Sequence, residues 1–534
     1  MAFPRRVVES DVCIIGSGIT AAMVAEKLAA ERDATLVVVE AGDESDPLPT
    51  RAALRRRFLD YGESPWRNDH LEGYEVPGIQ SRSMQVGGLA MHWGGVTPRW
   101  SPEDFKVRSS YGLGHDWPVS YDDLDPWYQE AEVRLGVAGE QGPPELDPRG
   151  KPFPQAPLPL TFNLQLLREW VSKAGIPMWS QPSAKNSVPY GGRPACCRND
   201  TCFPVCPIGA KYSPDFTWDG LRKSGRVRLL PRTVVRRLVL EERSDRVSHA
   251  VATARDGGGE LEFHARSFVV ACGYLWSSHL LLLSATGRFT GGLANRSGLV
   301  GKYLTGHRNV SGYVSLPIRL FPGMNEQHSL VTKKFMRVPR GERYLRHDLR
   351  VWESAAGREP RLADESGRPL LGDALLADWR RRTATGTARV RAYYDVIPDR
   401  ASELTLDSGK KTPWGDPLPR LDFRDAPESA ALKAWTEERI RALFTEMARA
   451  GGGEVLSTRS DPFQDHPAGG CRMGDDPAGS VTDSWGRSHD HENLFVVGAP
   501  TCVSGGCANG TLTFCALSLR SAAEIGKAFP ARRA

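Results

Sequence analysis

No run of about 20 apolar residues occurs anywhere in the 534 residues, so no segment reads as a membrane-spanning helix. The densest stretch, Val269 to Ala285, is broken by Gly273, Ser277, Ser278 and His279. Ten cysteines are too few for a disulfide-built scaffold. Net charge is small: 69 Lys and Arg against 64 Asp and Glu leave +5. The two signs are interspersed, which argues against a nucleic-acid footprint. Internal repeats and low-complexity tracts are absent, and 40% hydrophobic with 25% charged residues excludes a disordered chain. Arg5-Arg6 is followed by Glu9 and Asp11 instead of an apolar h-region, so the chain is read as carrying no signal peptide of its own. Two to four domains are expected at this length.

What the sequence does contain starts near its N-terminus. Val12-Cys13-Ile14-Ile15 reads as a buried parallel strand and runs directly into Gly16-Ser17-Gly18-Ile19-Thr20-Ala21. A good helix former follows, Ala22 to Ala30, then a second strand, Thr35 to Val39, ending in Glu40. Gly16 permits the tight turn, Gly18 lets the backbone approach a pyrophosphate, and Ala21 allows close helix–strand packing. The helix N-terminus offers free N–H groups to the phosphates. Glu40 is placed to accept from an adenosine ribose, which favours a free 2′-hydroxyl and hence FAD or NAD.

Further motifs are spread along the chain. Val86-Gly87-Gly88-Leu89-Ala90-Met91-His92-Trp93-Gly94-Gly95 is a glycine-rich loop with a His-Trp pair, and His466-Pro467-Ala468-Gly469-Gly470 is a second glycine-rich turn. Asn493 to Gly498-Ala499 reads as a strand and turn, and Asn509-Gly510-Thr511 leads into an apolar helix. In these residues the chain resembles the glucose-methanol-choline (GMC) oxidoreductases. The resemblance implies FAD, an α/β Rossmann-like FAD-binding domain and an α+β substrate domain with an antiparallel sheet. The implied division is 1–110, 225–305 and 461–534 for the FAD-binding domain, with 111–224 and 306–460 for the substrate domain. Val234, in Thr233-Val234-Val235, would lie by the flavin adenine, and Phe268 to Gly273 would re-enter the FAD domain. Glu403 to Leu406 and the Asp416-Pro417 turn resemble part of the substrate-domain sheet.

By the same resemblance His466 and Asn509 face the flavin N5. Oxidising an alcohol releases a carbon-bound hydride and a hydroxyl proton, and the proton needs a base within hydrogen-bond reach. Histidine suits that role because it is mostly neutral near pH 7. Asn509 would hydrogen-bond the alcohol oxygen. His92 has two readings, a covalent link to the flavin 8-methyl carbon or simple packing on the ring. His307 and the arginine-rich stretch from Arg340 to Arg391 are candidate pocket residues. Within that stretch Trp379-Arg380-Arg381-Arg382 reads as a solvated face or as a partner-docking patch.

Cys196, Cys197, Cys202 and Cys206 place four thiols within eleven residues. Taken alone they suit zinc, disulfides or an iron–sulfur cluster. Residues 192–211, with Tyr111 to Leu124, resemble the catalytic subunits of bacterial FAD-dependent, iron–sulfur sugar dehydrogenases. That resemblance implies a three-iron cluster on Cys196, Cys197 and Cys202, with Cys206 a spare thiol or fourth ligand. It also implies a sugar or glycoside substrate, a small accessory subunit, a cytochrome c acceptor, and a periplasmic location reached with the partner subunit (cytoplasmic otherwise). The alternative is an oxygen-using pyranose or glycoside oxidase whose cysteines are structural.

Overall fold

The computed structural model describes residues 6–63, 72–76, 83–198, 202, 205–255, 259–321, 328–339, 341–354, 361–364 and 366–532. Arg5, residues 199–201 and 203–204 of the cysteine segment, Arg340 and the side chains of Arg381 and Arg382 lie outside the described residues.

A seven-stranded sheet forms around the N-terminal strand Arg6–Ile15. Leu36–Val39 and then Val227–Leu230 lie parallel on one side of it. Glu260–Val270 lies parallel on the other side, with Leu494–Val496 parallel to it in turn. Val247–Ala254 and Thr233–Leu240 extend the sheet antiparallel. Val12–Ile15 and Leu36–Val39 are wholly buried, which is why they read as unbroken apolar runs without alternation. The helices Ile19–Glu31 and Thr511–Gly526 pack together beside this sheet. Sequence-distant segments thus build one layer: its strands come from residues 6–39, 227–270 and 494–496.

A second, six-stranded antiparallel sheet has the order Glu454–Ala468, Thr305–Leu316, Gly386–Asp395, Leu349–Ser354, Leu330–Thr332, Trp179–Ser180. Its two faces differ sharply, as period-2 alternation dictates. Val310, Val314, Leu349, Val351, Val390 and Ala392 are buried in one cluster with side chains of helices Phe162–Lys173 and Pro427–Ala450. The alternate positions carry His307, Asn309, Arg350, Arg391 and Tyr393. One face makes a core; the other is polar.

The segment Glu403–Lys411 departs from expectation. It pairs with Pro417–Asp422 as a separate two-stranded hairpin, with one isolated bridge from Glu403 to Lys302. Leu404 packs with Leu275 and Leu304, and its N–H donates to the Gly301 carbonyl. Apolar side chains of the Gly273–Leu283 helix thus hold the hairpin beside the first sheet's connections, away from the second sheet. Helix Gly372–Thr383 exposes Trp379 and Arg380, as a solvated face would.

Candidate active site

The dinucleotide motifs converge. Gly16 has φ +96°, and a Cβ there would meet the Ala271 carbonyl oxygen at 2.7 Å, so only glycine fits where two strand ends abut. Gly18 caps the Ile19–Glu31 helix with no side-chain cap and no acid in the first turn, leaving the N–H groups open to an anion. A Cβ on Gly18 would meet nothing within 4 Å, so its backbone faces open space. Gly87 bridges to Gly18, and Gly88 lies against the Gly18 Cα. Ala21 is fully buried in the cluster that holds Val12 and Ile14.

Glu40 accepts from Ser17 N–H (2.9 Å), Ser17 Oγ (2.6 Å) and Gly42 N–H (2.8 Å). Burial raises its pKa, and these donors oppose that rise. The Thr233 N–H donates to the Glu40 carbonyl at 2.9 Å, which sets Val234 beside it, among Tyr74, Met84 and Trp276. Gly498 (φ +80°) abuts Thr20 of the first helix, and Ala499 accepts from Gly469 N–H at 2.9 Å. The His466 turn and the dinucleotide helix are therefore linked through Gly498-Ala499. An open glycine cradle, uncapped helix amides and a buried acid at the second strand fit FAD.

His466 lies near the end of the strand Glu454–Ala468, whose register shifts between Asp461, Asp465 and Ala468. Its φ is +48°, an uncommon backbone for a non-glycine residue. Register breaks of this kind re-aim side chains beside active sites. Here Nε2 of His466 faces Asn509 Nδ2 at 2.8 Å, and Nδ1 faces His307 Nε2 at 2.9 Å. The amide donates to Nε2, so the His466 proton sits on Nδ1 and donates to His307; this tautomer is assigned from the network. Burial, with Arg350 and Arg391 nearby, pushes the His466 imidazole down to about 3, leaving it neutral at physiological pH. Burial and His466 itself hold His307 well below the usual histidine range, opposed by the Gly505 backbone. Asn509 Oδ1 is buried without a hydrogen-bond partner.

Three groups around this pair, Tyr393, Asp395 and Asp104, were not singled out from sequence. Tyr393 packs against His307 with its ring tilted (4.3 Å between ring centroids) and lies edge-on to His466 (5.8 Å). Asp395 stands opposite His307 in the register and pairs with buried Arg346, which also pairs with Asp104 at 2.9 Å. This buried triad ties the second sheet to the N-terminal third. The alternation Arg389-Val390-Arg391-Ala392-Tyr393 was the legible sign of a polar sheet face.

On the loop after Gly88, half-buried Trp93 donates from its indole to the Tyr212 carbonyl at 2.8 Å. His92 is half-buried, with Nε2 3.4 Å from Gln85 Nε2. The Lys211 ammonium donates both to the Trp93 carbonyl and to the Cys202 carbonyl (3.0 Å), joining this loop to the cysteine segment. Burial pushes Lys211 down to about 8 against the pull of Cys202 and Cys206. Burial raises the Cys196 thiol, and Cys202 and Cys206 add to that rise. Cys197 is exposed. Among the described residues no group of three or more His, Cys, Asp or Glu side chains is arranged to hold a metal ion.

A dinucleotide cradle ending at a neutral imidazole paired with an amide defines an oxidoreductase that uses a dinucleotide as its electron acceptor. The chain belongs to the GMC oxidoreductase family, which it matches over residues 114–309 and 398–518; it is an FAD-dependent enzyme of CH–OH donors. It is 31% identical to the fructose dehydrogenase large subunit of Gluconobacter japonicus, over 97% of each chain. It is 29% identical to the 6'''-hydroxyparomomycin C oxidase of Streptomyces lividus, over 98% of this chain and 92% of that one. Pyridoxine 4-oxidase from Mesorbium loti shares the fold, with a TM-score of 0.60, 19% identity, and 96% and 98% of the two chains covered.

Proposed function

We propose that the enzyme is a dehydrogenase oxidising a secondary or hemiacetal CH–OH of a sugar, glycoside or related polyol. The observation that carries this reading is the neutral His466, with Nε2 turned to Asn509 and Nδ1 turned to His307. Bound FAD supplies the hydride acceptor. A hydroxyl entering between the two side chains donates to His466 Nε2 and accepts from Asn509 Nδ2. As the proton moves to Nε2, the ring becomes cationic and its Nδ1–H bond to His307 becomes charge-assisted. The unfilled Asn509 Oδ1 is an acceptor for a further substrate hydroxyl. Gly16, Gly18, Ala21, Glu40, Gly87, Gly88, His92, Trp93, Val234, Gly498 and Ala499 form the FAD site on this reading. Its FAD-binding domain comprises 1–110, 225–305 and 461–534, although the His466 strand begins at Glu454, before the last boundary.

The cysteine segment belongs to the same proposal as the holder of an iron–sulfur cluster on Cys196, Cys197 and Cys202, with Cys206 beside them. Four thiols, deprotonated on ligation, and the buried Lys185 and Lys211 suit an anionic cluster. Ligation by Cys197 requires that exposed residue to turn inward. Lys211 links the segment to the Trp93 loop, so a cluster held there would adjoin the flavin loop and would supply one-electron transfer towards a cytochrome-type acceptor. An accessory subunit and a periplasmic site of action complete the reading. Among the described residues no helix is long and apolar enough to cross a membrane.

The test is anaerobic bleaching of the flavin by D-fructose, D-glucose, D-gluconate and methyl α-D-glucopyranoside, with iron and acid-labile sulfide measured on the same sample. Bleaching with stoichiometric iron and sulfide is expected. Bleaching without iron, followed by rapid peroxide formation in air, overturns the dehydrogenase in favour of the oxidase. No bleaching by any of them overturns the sugar reading.

A further inference from the structure

The polar face of the second sheet holds a row of positive charge that the buried Asp348 balances only in part. Arg459 stands opposite Ser311, Ser311 opposite Arg391, and Arg391 opposite Arg350, across four adjacent strands. Directly opposed residues project from the same face, and like charges placed so are destabilising. Arg350 is 1% exposed and is balanced by Asp348 at 2.8 Å, yet its Nη2 is buried without a hydrogen-bond partner. Arg391 makes no salt bridge or hydrogen bond among the described residues, and its Nε is likewise buried and unpartnered. Its guanidinium lies over Tyr393 (4.1 Å to the ring centroid) and Trp352 (4.9 Å). Tyr393 in turn packs, tilted, against His307, the partner of His466. Arg391 is four residues along its strand from Asp395, which faces His307, a separation of about 13 Å at the usual rise. The arginine row therefore sits at one end of the polar face and the proton acceptor at the other, with Tyr393 between them.

We propose that Arg391, with Arg350, binds an anionic substituent of the substrate, a carboxylate or a phosphate ester, so that an acidic sugar or glycoside presents a carbinol to His466. Guanidinium forks match both groups and bind either through paired N–H donors. The inference rests on the sugar-oxidoreductase reading and narrows it.

The experiment compares matched donors on the flavin-loaded enzyme: methyl β-D-glucuronoside with methyl β-D-glucopyranoside, and D-glucose 6-phosphate with D-glucose. At least a tenfold higher kcat/KM for one anionic member over its neutral mate is expected, and Arg391→Met should lower that ratio at least tenfold, with Arg391→Lys restoring part of it. Preference for the glucuronoside assigns a carboxylate; preference for the phosphate assigns a phosphate ester. Bleaching by neutral donors as fast as by their anionic mates overturns the anion subsite and leaves the sugar reading standing. Bleaching by none overturns the sugar reading, and equilibrium binding then decides the subsite alone. Binding of D-glucuronate or inorganic phosphate to wild type, weakened at least tenfold in Arg391→Met, supports it, and equal or absent binding overturns it.

Discussion

Replacing His307 by alanine isolates the contribution of a residue that touches neither hydride nor proton in flight. In the resting enzyme the His466 Nδ1–H bond to His307 is neutral, worth about 1 kcal/mol net, whereas a bond to a charged group is worth about 1.5–3 kcal/mol. The ring is charged once the hydroxyl proton reaches Nε2, so the difference, about 0.5–2 kcal/mol, falls on the chemical step. His307→Ala should therefore slow flavin reduction about 2- to 30-fold, with KM nearly constant. The side chain is fully buried, so a cavity and an unpaired N–H should also cost about 2–4 kcal/mol of stability. His307→Gln can offer an amide oxygen to the same Nδ1–H and should recover most of the rate. Anaerobic stopped-flow reduction, normalised to flavin content, gives the measurement. An alanine variant as fast as wild type, or a glutamine variant as slow as alanine, would refute the positioning argument.

Other expectations follow from the same structure. Gly18→Ala should fold normally but lose flavin, because its Cβ would meet no protein atom within 4 Å and would intrude on the pyrophosphate instead, whereas Gly16→Ala should lower the melting temperature by forcing a Cβ onto the Ala271 carbonyl; flavin absorbance and thermal melts separate the two. Glu132→Ala should cost about 3–5 kcal/mol in denaturant unfolding, since it leaves buried Arg99 (2.8 Å) and Arg149 (2.8 Å) without their shared carboxylate. With the His466 imidazole held at about 3, the base stays deprotonated well into acid, so kcat/KM should show no acid limb near 6.5, the ordinary histidine value. For stability, between about pH 6.5 and 3 the unfolded chain takes up protons that His466 refuses, so stability should fall as pH falls through that window.

Local chemistry made much of this legible in advance. The Gly16 to Glu40 unit is continuous in sequence, and each residue's use follows from its own backbone and neighbours. His466 and Asn509 came from motif order, yet their pairing needs a strand with broken register to meet a helix start 43 residues later. The roles of Arg391 and Tyr393 depend on which face of a strand meets which neighbour, a long-range register that alternation suggests without naming the partner. The Glu403–Lys411 hairpin was misplaced for the same reason: its strand pattern says nothing about whether the six-stranded sheet or the 273–283 helix receives it. The cysteine spacing named thiols but not their directions, and Cys197 points outward.

The most direct measurement is the rate of anaerobic flavin reduction in His466→Ala, using whichever of the four sugars bleaches wild type fastest. Loss of a positioned general base predicts a fall of about 10²–10⁴ with full flavin content; a rate equal to wild type would contradict the assignment of His466 as the proton acceptor.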